Sequence, residues 1–217
     1  MARSKSSSSW LKEHFDDPYV KRAQAEGVRS RAVYKLEELI DKDKLLKPNM
    51  RVVDLGAAPG GWSQLVRRRM GETGTVVAMD ILPMQGLGGV DFLQGDFREE
   101  SVVRTLEIML EGQKVDLVLS DMAPNMSGVA LADQIRAMDL ADMARDFALD
   151  WLKPGGAFLV KLFQGAGFDE YLRNLRADFS RVTMRKPKAS RARSREVYAL
   201  AVGLKAPAGN RARTAHE

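Results

Sequence analysis

The stretch Arg51–Trp62, RVVDLGAAPGGW, constrains the fold of this chain more than any other. An apolar run ends in an acid, Asp54, and enters a turn made of Gly56, Ala57, Ala58, Pro59, Gly60 and Gly61. Residues this small let backbone lie close against a flat or charged ligand. A helix is expected to follow over Ser63–Met70. Strand, small-residue turn and helix together form the nucleotide cradle of doubly wound α/β folds.

The same rhythm repeats downstream. Strands are expected at Thr75–Asp80, Val90–Gln94, Val115–Ser120 and Ala157–Leu162, and helices at Glu99–Glu111, Ala130–Leu152 and Phe168–Phe179. Pro154-Gly155-Gly156 reads as the turn into the fifth strand. Alternation of this kind predicts an α/β fold with a mainly parallel sheet covered on both faces. Arg181–Arg185 and Val197–Leu204 are two further strands with no helix between them, which predicts a hairpin and one antiparallel strand. Ser30 is expected to cap a helix running to Asp43, with Val33, Leu36 and Ile40 on its buried side. Three regions result: a flexible basic segment at 1–29, irregular through Trp10–Gly27 with a turn at Asp17-Pro18; a single domain at 30–204; and a disordered tail at 205–217.

Composition excludes several chemistries. With no cysteine, the chain has no disulfide partner, no thiolate metal site and no cysteine nucleophile. His14 and His216 are the only histidines, both near the ends, which argues against a histidine triad or a metal centre. No window reaches the ~18 uninterrupted apolar residues of a membrane span, and the N-terminus lacks the apolar region of a secretory signal. A soluble, cytoplasmic monomer is expected. The net charge of +5 is modest, and its distribution says more than its size.

In doubly wound sheets the ligand sits at the carboxyl ends of the strands. Asp54 closes the first strand. Asp80 closes the second and is placed for ribose hydroxyls. Asp96, in LQGDF after the third, could meet an exocyclic amine of a base. Trp62 could pack on the cofactor or fill core. NAD is the rival cofactor, because Asp80 stands about as far from the turn as a dinucleotide fingerprint requires. The turn disagrees, since Ala58 occupies the middle glycine slot and Pro59 removes a backbone donor. S-adenosylmethionine, which has no phosphate, fits better.

Four charged residues complete the pattern. Asp121 follows the fourth strand in LVLSDMAPN, Lys161 ends the fifth in FLVKLF, and Glu196 opens the last in SREVYAL. The winding brings Asp121 and Lys161 to the cofactor edge; sequence alone does not place Lys35.

DLGAAPGGW, SDMAPNMSG, VKLFQG and SREVYA, with SRAVYKL upstream, resemble the FtsJ/RlmE-type 2'-O-ribose methyltransferases from about Trp10 to Leu204. The resemblance implies a class I methyltransferase (Rossmann-like) sheet of seven strands with helices on both faces and the last strand antiparallel. It implies a catalytic set on Lys35, Asp121, Lys161 and Glu196. It implies S-adenosylmethionine contacts at Gly56, Gly60, Trp62, Asp80, Asp96 and Asp121. It also implies a substrate, a uridine ribose in 23S ribosomal RNA within the large ribosomal subunit.

The expected reaction is in-line attack of a ribose 2'-oxygen on a sulfonium methyl. Alignment contributes several kcal/mol, on the order of the ~7–11 available from good orientation. Lys161 is the expected base or steering group, with Lys35 and Glu196 positioning the ribose and completing a proton network. Covalent C5 methylation is excluded by the missing cysteine. Amino methylation of adenine is disfavoured because Asp121-Met122-Ala123-Pro124 carries no aromatic to stack on a flipped base. Two basic stretches, Lys21, Arg22, Arg29, Arg31 and then Arg185, Lys186, Lys188, Arg191, Arg193, Arg195, are expected to straddle the mouth of the site and hold phosphates, with little stacking. Transfer RNA, an mRNA cap, or RNA binding without catalysis are the competing readings.

Overall fold

The computed structural model describes residues 17–191 and 193–206. Its frame is a seven-stranded sheet of order β3-β2-β1-β4-β5-β7-β6. In chain order these are β1 (Arg51–Leu55), β2 (Thr75–Asp80), β3 (Asp91–Gln94), β4 (Val115–Ser120), β5 (Leu152–Phe163), β6 (Phe179–Arg185) and β7 (Glu196–Leu204). The helices are α1 (Pro18–Ala25), α2 (Val33–Asp43), α3 (Gly61–Met70), α4 (Glu100–Met109), α5 (Ala130–Trp151) and α6 (Phe168–Asp178). The first five strands pair in parallel, whereas β7 lies antiparallel between β5 and β6. The expected hairpin therefore reverses one strand of the sheet.

Side chains alternate across the strands with period two, and each set finds its own helical layer. Val53, Leu55, Val77, Met79, Val118, Phe158 and Val160 face a core completed from α4, α5 and α6. Val52, Val76, Leu117, Leu119, Leu159, Tyr198 and Leu200 face a second core completed from α2 and α3. The near-continuous apolar runs of β4 and β5 follow, because strands of such a sheet are buried on both faces.

Three local expectations need correction. Residues 18–25, expected to be irregular, form α1. Asp17 caps it by accepting from the Tyr19 amide at 2.9 Å, Pro18 stands in the first turn, and Val20 and Ala23 are buried. Ser30 is not the cap of α2: the helix begins at Val33 after Ala32, and the Ser30 hydroxyl lies against Gly61, where a Cβ would approach it to 2.6 Å. Pro154-Gly155-Gly156 lies inside β5 rather than in a turn before it. Leu152 already pairs with Val115, and the register resumes at Leu117 with Ala157, so the three residues form a bulge in a continuous strand. At the other end, Lys205 still packs on the chain, its amide donating to Asp178 and its ammonium to Arg176 and Ala177 carbonyls at the end of α6. Residues 1–16 and 207–217 of the expected segment and tail lie outside the described residues.

Candidate active site

The carboxyl ends of β1, β2, β3 and β4 open into a cleft of about 620 Å³, within the range of small-molecule sites. Gly56 forms part of its floor. Its amide and that of Ala57 donate to the Met79 carbonyl, and a Cβ at Gly56 would meet the Met122 backbone nitrogen at 2.8 Å. Only glycine allows the two turns this close, and its φ of +80° is strained for other residues. Gly60, also at positive φ, leads into α3 beneath Met84 and Arg29, either of which a Cβ would strike.

Asp80 lines the cleft and accepts from the amides of Ala58 and Leu82, both at 2.8 Å, one from each oxygen. Each oxygen keeps a lone pair for a further donor. Asp96 lines the cleft as well, and here Arg98 holds it in a fork, Nε to Oδ1 at 3.0 Å and Nη2 to Oδ2 at 2.5 Å. That pairing keeps the Asp96 carboxyl below its ordinary range. A donor arriving from a base would share or displace Arg98, whose side chain is exposed.

Trp62 does not line the cleft. Its indole is buried in the second core against Tyr198, with ring centroids 5.8 Å apart, and donates to the Ala32 carbonyl at 2.8 Å. Of the two uses left open for this side chain, core filling is the one the coordinates show. Asp54 does not line the cleft either. It is fully buried, accepts from the Ser63 hydroxyl at 2.6 Å and leaves its other oxygen unpartnered. Burial first, then the charges of Asp121 and Asp80, push its carboxyl up to about 7.

The cleft carries Asp80, Asp96, Asp121 and Asp139 against Arg98 and Arg136, and Arg136 is already paired with Asp133. A net negative lining repels pyrophosphate and suits a cationic ligand. Apolar walls from Phe97, Pro124, Leu140 and Met143 suit a flat base.

The four charged residues converge beside this cleft. The Asp121 amide donates to the Leu55 carbonyl, which ties the post-β4 turn to the end of β1. The Lys161 ammonium donates to the Asp121 carbonyl at 2.5 Å and lies 3.1 Å from its carboxylate. The Lys35 ammonium meets Glu196 Oε1 at 2.7 Å. The period of the sheet explains the meeting: Lys161 stands opposite Tyr198, and Glu196 lies two residues along β7 on the same face, the face that α2 covers. Lys161 is only 8% exposed, so its charge is shielded from water.

Tyr198, quoted within SREVYA but given no role from sequence, joins the two pairs. Its hydroxyl donates to Asp121 Oδ1 at 2.8 Å, and the Lys35 ammonium that holds Glu196 lies 5.8 Å from the centre of its ring. Burial, followed by those two carboxylates, holds the phenol well above its ordinary range, so it acts as a neutral donor. The Ser190 hydroxyl donates to Glu196 Oε1 at 2.9 Å from the hairpin connection. Strand alternation was the signal for Tyr198. Nothing local in the sequence marks Ser190.

The basic stretches divide. Arg29 straps the cofactor turn, donating to the carbonyls of Pro59, Gln85 and Gly86. Arg31 pairs with Asp17 and donates to the Ala189 carbonyl, Arg185 pairs with Asp43, and Lys186 donates to the Ser194 and Glu196 carbonyls. These cations hold the fold. Lys188 and Arg191 make no ion pair among the described residues.

The sheet order, the acidic cleft at its carboxyl edge and the amine–carboxyl set beside it define a Rossmann-like methyltransferase. The sequence profile of FtsJ-like methyltransferases matches residues 28–204, and the chain belongs to that family. It is 66% identical over 204 residues, 94% of this chain and 97% of the relative, to the ribosomal RNA large subunit methyltransferase E of Stenotrophomonas maltophilia (strain K279a). It is 62% identical over 203 residues, 94% of this chain and 95% of the relative, to the protein of that name from Xylella fastidiosa (strain M23). A crystal structure of a ribosomal RNA methyltransferase, described as putative, from Plasmodium falciparum superposes with a TM-score of 0.74 at 29% identity, covering 81% of this chain and 98% of that one. No helix among the described residues is long and apolar enough to cross a membrane.

Proposed function

We propose that this chain transfers a methyl group from S-adenosylmethionine to the 2'-hydroxyl of a ribose in ribosomal RNA, a uridine of 23S RNA within the large subunit, acting as a cytoplasmic monomer. One observation carries the reading: two amine–carboxyl pairs meet around Tyr198, and one of their acids, Asp121, lines a cleft whose net charge is negative. The relatives' names, which give large-subunit ribosomal RNA as their substrate, support it.

S-adenosylmethionine would supply a methyl already activated on sulfonium. Asp80 is the residue assigned to the ribose diol, Asp96 to the base amine, Gly56 and Gly60 to close backbone approach, and Asp121 to the positive end of the donor. At position 62 the group assigned to the ligand is the backbone amide and not the ring, because the ring is buried and the first amides of α3 have no acceptor within the helix.

The chain's own work is to align the 2'-hydroxyl and deal with its proton. Lys161 is the group assigned to that proton, either accepting it or holding the oxyanion as it forms. Lys35 and Glu196 position the ribose, while Tyr198 fixes Asp121 and Ser190 fixes Glu196. Tritiated methyl transfer to large ribosomal subunits from cells lacking the gene, compared with transfer RNA, tests the reading. Label in a ribose of 23S RNA is the expected result; label only in transfer RNA, or none, overturns it.

A further inference from the structure

A second cavity, of about 370 Å³, opens on the far side of the charged set from the cleft. Asp17, Tyr19 and Arg31 form one wall, and Lys188, Ser190 and Arg191 the other. Side-chain contacts measure its distance from the chemistry. Asp121, which lines the cleft, receives the Tyr198 hydroxyl; the Lys35 ammonium, 5.8 Å from the centre of the Tyr198 ring, donates to Glu196; Glu196 receives the hydroxyl of Ser190, which lines the second cavity. Cleft, charged set and second cavity thus follow one another across one face.

The walls have the chemistry of a nucleotide. Tyr19 is partly exposed, and Lys188 and Arg191 make no ion pair among the described residues, while Arg31 is neutralised by Asp17 at 2.5 Å. The cavity therefore offers the exposed part of an aromatic ring, which Tyr34 at 5.6 Å and the Arg31 guanidinium at 5.7 Å hold in place, beside two cations with no ion pair among the described residues. Rings accept any base, and cations hold the phosphate that follows it. The Arg31 contact with the Ala189 carbonyl fixes one wall to the other across 158 positions of chain, so the cavity is built into the fold.

We propose that this cavity is a subsite for the nucleotide adjoining the methylated one, with Tyr19 against its base and Lys188 and Arg191 on its phosphates. The proposal rests on the RNA-ribose reading above. A ribose held by Lys35, Lys161 and Glu196 continues through its phosphodiester toward Ser190, and this cavity is the concave surface next to that point.

The test uses the full chain and large ribosomal subunits from cells lacking the gene, with methyl transfer followed over a salt series. Tyr19→Leu is expected to raise KM for subunits roughly tenfold while leaving its salt dependence as in the unaltered protein, since a ring contact releases no counterions. Tyr19→Phe restores the ring and the KM. Lys188→Ala with Arg191→Ala raises KM and flattens its log–log salt slope by about 1.4, roughly 0.7 for each single-strand phosphate contact. Arg104→Ala with Arg173→Ala, an equal charge change elsewhere, leaves KM unaltered. Calorimetry with S-adenosylmethionine gives one affinity for all of them. Unchanged KM in the Lys188/Arg191 variant overturns the subsite even if Tyr19→Leu fails to fold, as does a loss of S-adenosylmethionine affinity in step with KM. If the unaltered protein binds S-adenosylmethionine yet methylates no subunit, the RNA reading itself fails, and the subsite with it.

Discussion

The two halves of the active face are built by different means. The half assigned above to the cofactor is local in the chain: Asp80 meets Ala58 across 22 positions, and Gly56, Asp80 and Asp96 lie at the ends of consecutive strands. The half assigned to the substrate is assembled from afar: Lys35 meets Glu196 across 161 positions, and Arg185 meets Asp43 across 142. Charge divides the same way. The cleft gathers carboxylates, whereas the outward cations Lys188 and Arg191 stand beyond the charged set. The face is thus graded from acidic to basic, matching a cationic donor on one side and a polyanion on the other.

Changes confined to one half should leave the other intact, and the largest expected separation is at Lys161. Lys161→Met is expected to lower methyl transfer by 10³-fold or more, with S-adenosylmethionine affinity by calorimetry within about twofold. Lys161→Arg sharpens it: arginine keeps the charge but does not give up its proton. Recovery in that variant assigns Lys161 to holding the oxyanion; continued loss assigns it to taking the proton. Near-normal turnover in Lys161→Met removes the residue from the mechanism.

The next effect belongs to the acidic half. Asp54 titrates near 7 in the folded chain against 3.8 when exposed. An acid raised in this way adds stability that is complete below about pH 4 and is lost as pH climbs through 7, on the order of 4 kcal/mol in all. Asp54→Asn should flatten that fall. Denaturant midpoints between pH 5 and 8 measure it, and an undiminished slope in the variant assigns the dependence to other groups.

Asp80→Asn should weaken S-adenosylmethionine roughly 10- to 100-fold by removing a charged acceptor, with subunit binding unchanged. Loss of both together would mean that the halves are not separable. The smallest effect is expected at the joint. Tyr198→Phe removes the hydroxyl that holds Asp121 and should cost about tenfold in kcat and about 1 kcal/mol in stability, with neither affinity altered by more than about twofold.

The same division explains what could be read from the sequence. Asp80 and Asp96 were legible because strand ends and turns are written in contiguous residues. The antiparallel last strand was legible because no helix separates it from its neighbour. Pro154-Gly155-Gly156 looked like a turn because the two residue types that break strands also make bulges, and only the pairing of Leu152 with Val115 tells the two apart. Residues 18–25 looked irregular because α1 is short and draws its support from tertiary contacts, Tyr19 packing on Tyr34 and Arg22 lying over the Tyr34 ring. Stacking on RNA reads as minor because the basic runs hold few aromatics; the subsite proposed above would revise that, because folding sets Tyr19 beside Lys188 and Arg191 of the second run. The cations of those runs could not be sorted into fold-holding and outward-facing ones, since each partner, such as Asp17 for Arg31 or Asp43 for Arg185, is set by topology.

The placing of β7 between β5 and β6 bears on how the molecule is born. The ribosome delivers β6 before β7, yet β6 has no neighbour in the sheet until β7 has slotted in beside β5. Everything that shapes the donor cleft has been synthesised by Met143, whereas the acid that completes the amine–carboxyl ring arrives some fifty residues later, on the strand that closes the sheet. If the proposed roles hold, a growing chain has all the residues that line the cleft well before it has the acid that meets Lys35, and the last insertion of the sheet is the step that brings the two pairs together.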